Sequence, residues 1–293
     1  MNRAAGRIAP WHQPNWDARA AANFIGGGTG TGLLIAAAIA AAAGAPYRPL
    51  ALVGLALVAL GLACVWLEIG RPWRALHVFL HPQTSWMTRE AIVALPLFGA
   101  GLAALWQDGG GYAWAAAAFG AAFLWCQAQI LRAAKGIPAW RAPQVVPLIV
   151  ATGLAEGAGV LALACALPAM HALARPVTVV LAALLVTRAV AWRAYRGPLA
   201  APRATIAALD RAAPLFDGLG GWVAAGVAGA AAFLVSDAMA VPLAAAAGAL
   251  AVAGGWHLKF VLVTRAGFNQ GFALPRQPVR GSGAHGQSAK PGW

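Results

Sequence analysis

The chain has 293 residues, 61% of them hydrophobic and 10% charged, with a mean hydropathy of +0.69. A soluble domain carries about 25% charged residues, so this composition excludes a soluble enzyme, a disordered protein and a fibrous repeat and leaves an integral membrane protein. The net charge of +13 fits basic loops that set membrane orientation better than it fits nucleic-acid binding.

Residues 1–23 include Arg3, Arg7, Trp11, His12, Trp16, Asp17 and Arg19 and read as a cytoplasmic segment without the apolar centre of a signal peptide. A helix needs about 20 mostly apolar residues to span a bilayer. Eight stretches qualify: roughly 24–43, 50–69, 90–106, 112–132, 145–170, 176–193, 219–236 and 241–263. They are long and rich in Ala, Leu and Gly, without the alternation of barrel strands. The expected fold is an all-α integral membrane protein, a bundle of eight transmembrane helices over 24–264. The links at 107–111 and 236–240 demand tight hairpins. Residues 265–293 read as a cytoplasmic tail, disordered after 275 by its Pro, Gly, Ser and Gln content.

The run Gly26-Gly27-Gly28-Thr29-Gly30-Thr31-Gly32 follows no strand and lacks the Lys-Ser/Thr pair of a phosphate loop. It reads instead as small residues spaced for close helix packing, as does Gly153 with Gly157. Cys64, Cys126 and Cys165 lie in apolar segments without C-x-x-C spacing, which leaves no thiolate set for zinc or an iron–sulfur cluster. A bis-histidine haem is excluded likewise, because His257 is the one histidine inside a span.

With eight spans both termini share a face. Nineteen basic residues sort to that face, and two, Arg48 and Arg175, to the other. The positive-inside rule then puts both termini in the cytoplasm.

The three glutamates, Glu68, Glu90 and Glu156, all lie in or at the ends of spans. Intramembrane carboxylates are costly and mark proton, ion or ligand sites. Each also has a plain reading as a helix-end carboxylate paired with arginine: Arg71 for Glu68, Arg89 for Glu90. Glu156 has no basic residue nearby in sequence. The stretch from Trp66 to Pro96 gathers Arg71, Trp73, Arg74, His77, His81, Trp86, Arg89 and Glu90 at one interface. Aromatic rings to hold a flat ring, donors for its carbonyls and a carboxylate for the proton suit a quinone. An aromatic belt with snorkelling arginines fits the same residues.

Gly70-Arg71-Pro72 followed by Ser85-Trp86-Met87-Thr88-Arg89-Glu90 resembles the pattern of the dimethyl sulfoxide reductase membrane-anchor family, the DmsC type related to NrfD and polysulfide reductase anchors. Trp16-Asp17-Ala18-Arg19, Asn23-Phe24, Lys135 to Trp140, Thr152 to Gly157 and Thr264 to Gly271 extend the resemblance along the chain. It implies a quinone-reactive anchor (ubiquinone or menaquinone) in a bacterial inner membrane, without haem or cluster of its own. It also implies two partners, a ferredoxin-like iron–sulfur subunit and a molybdopterin catalytic subunit. On this reading Glu90 and Glu68 are the catalytic proton carriers. Arg71, Trp73, His77, Trp86 and Arg89 bind the quinone, with His257 and Lys259 as a second wall from span 8. Arg71, Trp73, Arg74, Trp140 and Arg265 would meet the iron–sulfur subunit. Where this family typically has histidine before Leu/Ile-Gly-Arg-Pro, this chain has Glu68, a carboxylate in place of an imidazole. Intramembrane glutamates also suit a secondary transporter or proton-conducting protein, but that class predicts an inverted repeat, and the sequence contains none.

The orientation yields a direct expectation. A reporter fused after Trp293 should be active in its cytoplasmic form; activity of a periplasm-dependent reporter there would overturn the assignment.

Overall fold

The computed structural model describes residues 9–68, 72–107 and 110–271, residues 72–74 by their backbone alone. Arg71 and the expected disordered tail lie outside the described residues, as do the side chains of Trp73 and Arg74. The described residues form ten α-helices: α1 (Ala18–Ala42), α2 (Arg48–Trp66), α3 (Trp86–Trp106), α4 (Gly111–Ala133), α5 (Pro138–Arg141), α6 (Val145–Ala164), α7 (Ala174–Arg196), α8 (Arg203–Ala213), α9 (Ala224–Phe233) and α10 (Asp237–Thr264). A tight 3-10 turn, Pro168–Leu173, leads into α7, and π-helical turns over Pro214–Val223 join α8 to α9. Eight of the resulting helical units are long and apolar enough to cross a membrane. The protein is an all-α bundle, with no strand among the described residues.

Several boundaries differ from the sequence reading: the third span starts at Trp86 rather than 90, the fifth ends at Ala164 rather than 170, and two further differences have local causes. The first helix begins at Ala18 rather than 24, because the Asp17 carboxylate accepts a hydrogen bond from the Arg19 amide and caps it there. The seventh span is preceded by α8, whose apolar side (Ala208, Leu209, Ala212) is buried. Its polar side, with Arg203 and Arg211, hid this helix from an apolar count.

Helix α1 packs against α2, α4, α6 and α10. Lipid supplies no hydrophobic drive between helices, so close backbone approach matters. The glycine run provides it. A side chain on Gly26 would strike Leu57 O of α2, one on Gly30 would strike Gly54 O, and one on Gly32 would strike Gly153 O of α6. Gly157 faces the Gly32 backbone in turn, and Gly159 abuts Gly248 of α10. On the opposite face from the termini, Arg175 staples the α9–α10 hairpin. Its guanidinium meets Asp237 at 2.6 Å and donates to Ala232 O at 2.8 Å and Val235 O at 2.6 Å.

Backbone cannot yield as a flexible side chain can, so Gly157→Leu should destabilise the bundle by about 3 kcal/mol or more, the upper end of overpacking costs. Gly226→Ala, with nothing within 4 Å of the added carbon, should leave stability unchanged or raise it by up to about 1 kcal/mol. Thermal unfolding of both variants in lipid nanodiscs checks the contrast; equal melting temperatures would refute it.

Candidate functional site

Ser85 starts α3: its hydroxyl accepts from the Thr88 amide at 3.3 Å. That start sets Glu90 in the second turn, facing α1 and α4. There Glu90 is buried and the Asn23 and Gln127 amides approach its carboxyl. Gln127 Nε2 donates to Asn23 O at 2.8 Å. Glu90 Oε1, Asn23 Oδ1 and Gln127 Oε1 have no hydrogen-bond partner. Each of these three buried oxygens lacks a donor of its own, which is unusual and leaves acceptors for a group that brings its own proton.

Glu90 and Glu68 line one cleft of about 60 Å³, together with Trp16, Phe24, Leu62, Met87 and others from α1 to α4. Arg19 Nη1 donates to Leu67 O at 3.1 Å, which pins the end of α2 and Glu68 beside the start of α1. The structure therefore brings together the two glutamates that lie 22 positions apart in sequence.

The other expected residues divide. Trp86 is half-buried against the cluster containing Ala20, Phe24 and Ile130. Arg89 stacks over the Trp86 ring at 4.2 Å and donates to Pro82 O and Gln83 O at 2.8 and 2.9 Å, so its guanidinium braces the loop before α3 rather than pairing with Glu90. His77 is exposed on the 3-10 segment Pro72–Leu80 and does not line the cleft. The second wall from span 8 is absent: neither His257 nor Lys259 lines the cleft, because α1 stands between.

Lys259 instead meets Glu156 at 2.6 Å, both fully buried. The same carboxylate oxygen accepts from Thr29 Oγ1 at 2.7 Å, and Trp256 Nε1 donates to Thr29 Oγ1 at 2.9 Å. Arg188, 1% exposed, donates to Ala251 O at 3.0 Å and to Gly220 O, with the Phe216 ring 4.9 Å away. Sequence reasoning missed this network. It counted Arg188 and Lys259 among the basic-face residues, whereas both are inside the bundle. The available signal was a lysine amid the apolar residues of the last span.

The segments before α1 and after α10 close over the basic face. Gln13 N donates to Gly267 O at 2.8 Å, Asn269 N to Trp11 O at 3.0 Å, and His12 pairs with Phe268 in an isolated antiparallel bridge. Trp140 of α5 stacks on Trp16 at 4.7 Å and donates to Leu262 O at 2.8 Å. At 2% exposure Trp140 holds this cap together from within and offers no surface to a partner, contrary to expectation. Arg265 is exposed, and Arg141 reaches Gln270 at 2.8 Å.

Burial in the cleft pushes the Glu68 carboxyl up from 4.5, Asp17 adds to this, and Arg19 opposes it. A carboxyl raised on folding binds its proton more tightly in the folded state. Its favourable contribution is therefore full below the ordinary value and is lost as pH rises through the raised one. Glu68→Gln cannot ionise, so its melting temperature should gain on that of the wild type as pH rises above 4.5. A difference that stays constant across a pH series would count against this.

No protein-family model and no curated protein matches the chain.

Proposed function

We propose that the chain is the quinone-reactive membrane subunit of an oxidoreductase complex, passing electrons between a partner iron–sulfur protein and the membrane quinone pool. The observation that carries this reading is the cleft where buried Glu90, with unpartnered acceptors around it, shares a wall with Glu68. At about 60 Å³ it is smaller than a quinone ring. The ring's oxygen edge enters, with Met87 moving aside, while its body lies between α2 and α3 toward lipid. Glu90 then gives or takes the proton at that oxygen, Asn23 and Gln127 supply amide donors by rotation, and Glu68 connects the cleft to the basic face. Two-proton quinone chemistry needs such a positioned acid–base group. The quinone supplies the redox chemistry.

The segments quoted for the family resemblance support the reading from another side. Trp16 to Phe24, Lys135 to Trp140 and Thr264 to Gly271 are remote in sequence, and they meet in one cap on the face with most basic residues. On this proposal the iron–sulfur subunit docks there, against Arg265 and Arg141, and the molybdopterin subunit follows it in the cytoplasm.

Glu90→Gln in the assembled complex tests it. Assembly should persist and quinone-coupled turnover should fall about 10²-fold or more, the usual worth of a positioned proton carrier. Turnover with a soluble artificial electron acceptor should remain. Wild-type quinone turnover in Glu90→Gln would refute the assignment.

A further inference from the structure

Three of the spanning helices end around one hollow on the basic face. Helix α4 stops at Ala133, α6 starts at Val145 and α7 stops at Arg196. Lys135, Pro138, Arg141 and Gln144 from one link and Pro198 and Leu199 from the other enclose a pocket of about 390 Å³. A pocket where membrane-crossing helices emerge lies at the level of the lipid headgroups. Its frame is stiff, because proline at 138, 143 and 198 fixes the backbone on both sides. Arg141 Nη1 donates to Lys135 O at 3.2 Å and to Gln270 Oε1 at 2.8 Å, which sets the two basic residues side by side at the edge of the cap. Both are exposed, and the Lys135 ammonium has no hydrogen-bond or ion-pair partner among the described residues. None of the described residues lining the pocket is acidic. Asp210 of α8 is taken up by Arg196 at 2.8 Å.

Below the pocket, α6 turns one stripe outward. Of residues 145–155, Pro147, Val150 and Leu154 are the ones not buried, and spacings of three and four put them on one helix face. Gln144 to Leu154 is about 15 Å along the helix, the hydrocarbon depth of one leaflet at about half of 30 Å. Cations and an amide at the rim, proline and leucine in the walls and an apolar stripe beneath match an amphiphile with an anionic head. An acidic protein segment would satisfy the charges and leave the stripe unused. We propose that this pocket holds the headgroup of one anionic phospholipid, with Lys135 and Arg141 at its phosphate and an acyl chain along Pro147, Val150 and Leu154. Basic pockets between membrane helices take anionic headgroups in this way. The site stands whether or not the chain carries electrons.

Native mass spectrometry of the full chain in detergent tests it, with phosphatidylglycerol, phosphatidylcholine, glycerol phosphate and hexaglutamate as probes. One phosphatidylglycerol should bind about fivefold or more tightly than phosphatidylcholine, the worth of one basic residue at a lipid headgroup. Lys135→Gln should weaken phosphatidylglycerol about fivefold and leave phosphatidylcholine nearly unchanged. Arg203→Gln/Arg211→Gln removes two exposed charges from α8 on the same face and should bind phosphatidylglycerol as the wild type does. Equal binding of the two lipids, or wild-type affinity in Lys135→Gln, would overturn the proposal. An equal loss in the α8 double variant would do so too, by showing diffuse surface charge alone. Displacement of the lipid by glycerol phosphate at matched concentration would make this a site for free phosphate. Hexaglutamate that binds more tightly than the lipid, and is lost in Lys135→Gln, would give the pocket to an acidic protein segment instead.

Discussion

Helices in lipid gain nothing by hiding apolar side chains from one another, because lipid tails are as apolar as leucine. What remains is how closely backbones approach, and in this protein that closeness is concentrated on α1. Gly26 and Gly30 let α2 in, and Gly32 lets α6 in. The same stripe makes space for chemistry: a methyl group on Gly27 would displace Gln127, and one on Gly28 would displace Lys259. Both polar clusters therefore depend on α1 having almost no side chains along one run. Packing and site formation are one constraint here.

Much of the architecture was legible because lipid simplifies the code. An apolar run of spanning length has one solution, a helix, so the eight spans could be counted without knowing how they pack. The glycine run could be read as packing because the alternative, a phosphate loop, needs residues that are missing. Glu90 and Glu68 stood out as rare carboxylates at span ends. What the sequence could not convey was which span faces which. Lys259 looked like a candidate wall for the Glu90 cleft because both lie toward the same face. Its partner proved to be Glu156, 103 positions away, since α1 separates the two clusters.

Trp140 and Arg188 show a second limit. A tryptophan beside basic residues at an interface reads as a surface anchor, yet its indole nitrogen is taken up by Leu262 O and its ring by Trp16. An arginine near the end of a span reads as a snorkelling side chain. Arg188 turns inward because the π-helical turns expose Gly220 O to it, with Ala251 O beside. Such irregular turns leave carbonyls unpaired at depth, and a buried donor satisfies them. Neither outcome is encoded in local composition.

The cap over the basic face has a consequence in time. It is woven from the residues preceding α1 and those following α10, with Gln13 held to Gly267 and Trp11 to Asn269. Helix α1 is synthesised well before α10, so this surface does not exist until α10 has emerged. A stalled or truncated product would present every helix it had made and still lack the clasp. The clasp therefore reports that α1 and α10 are both in place, through a joint between segments that are synthesised far apart in time.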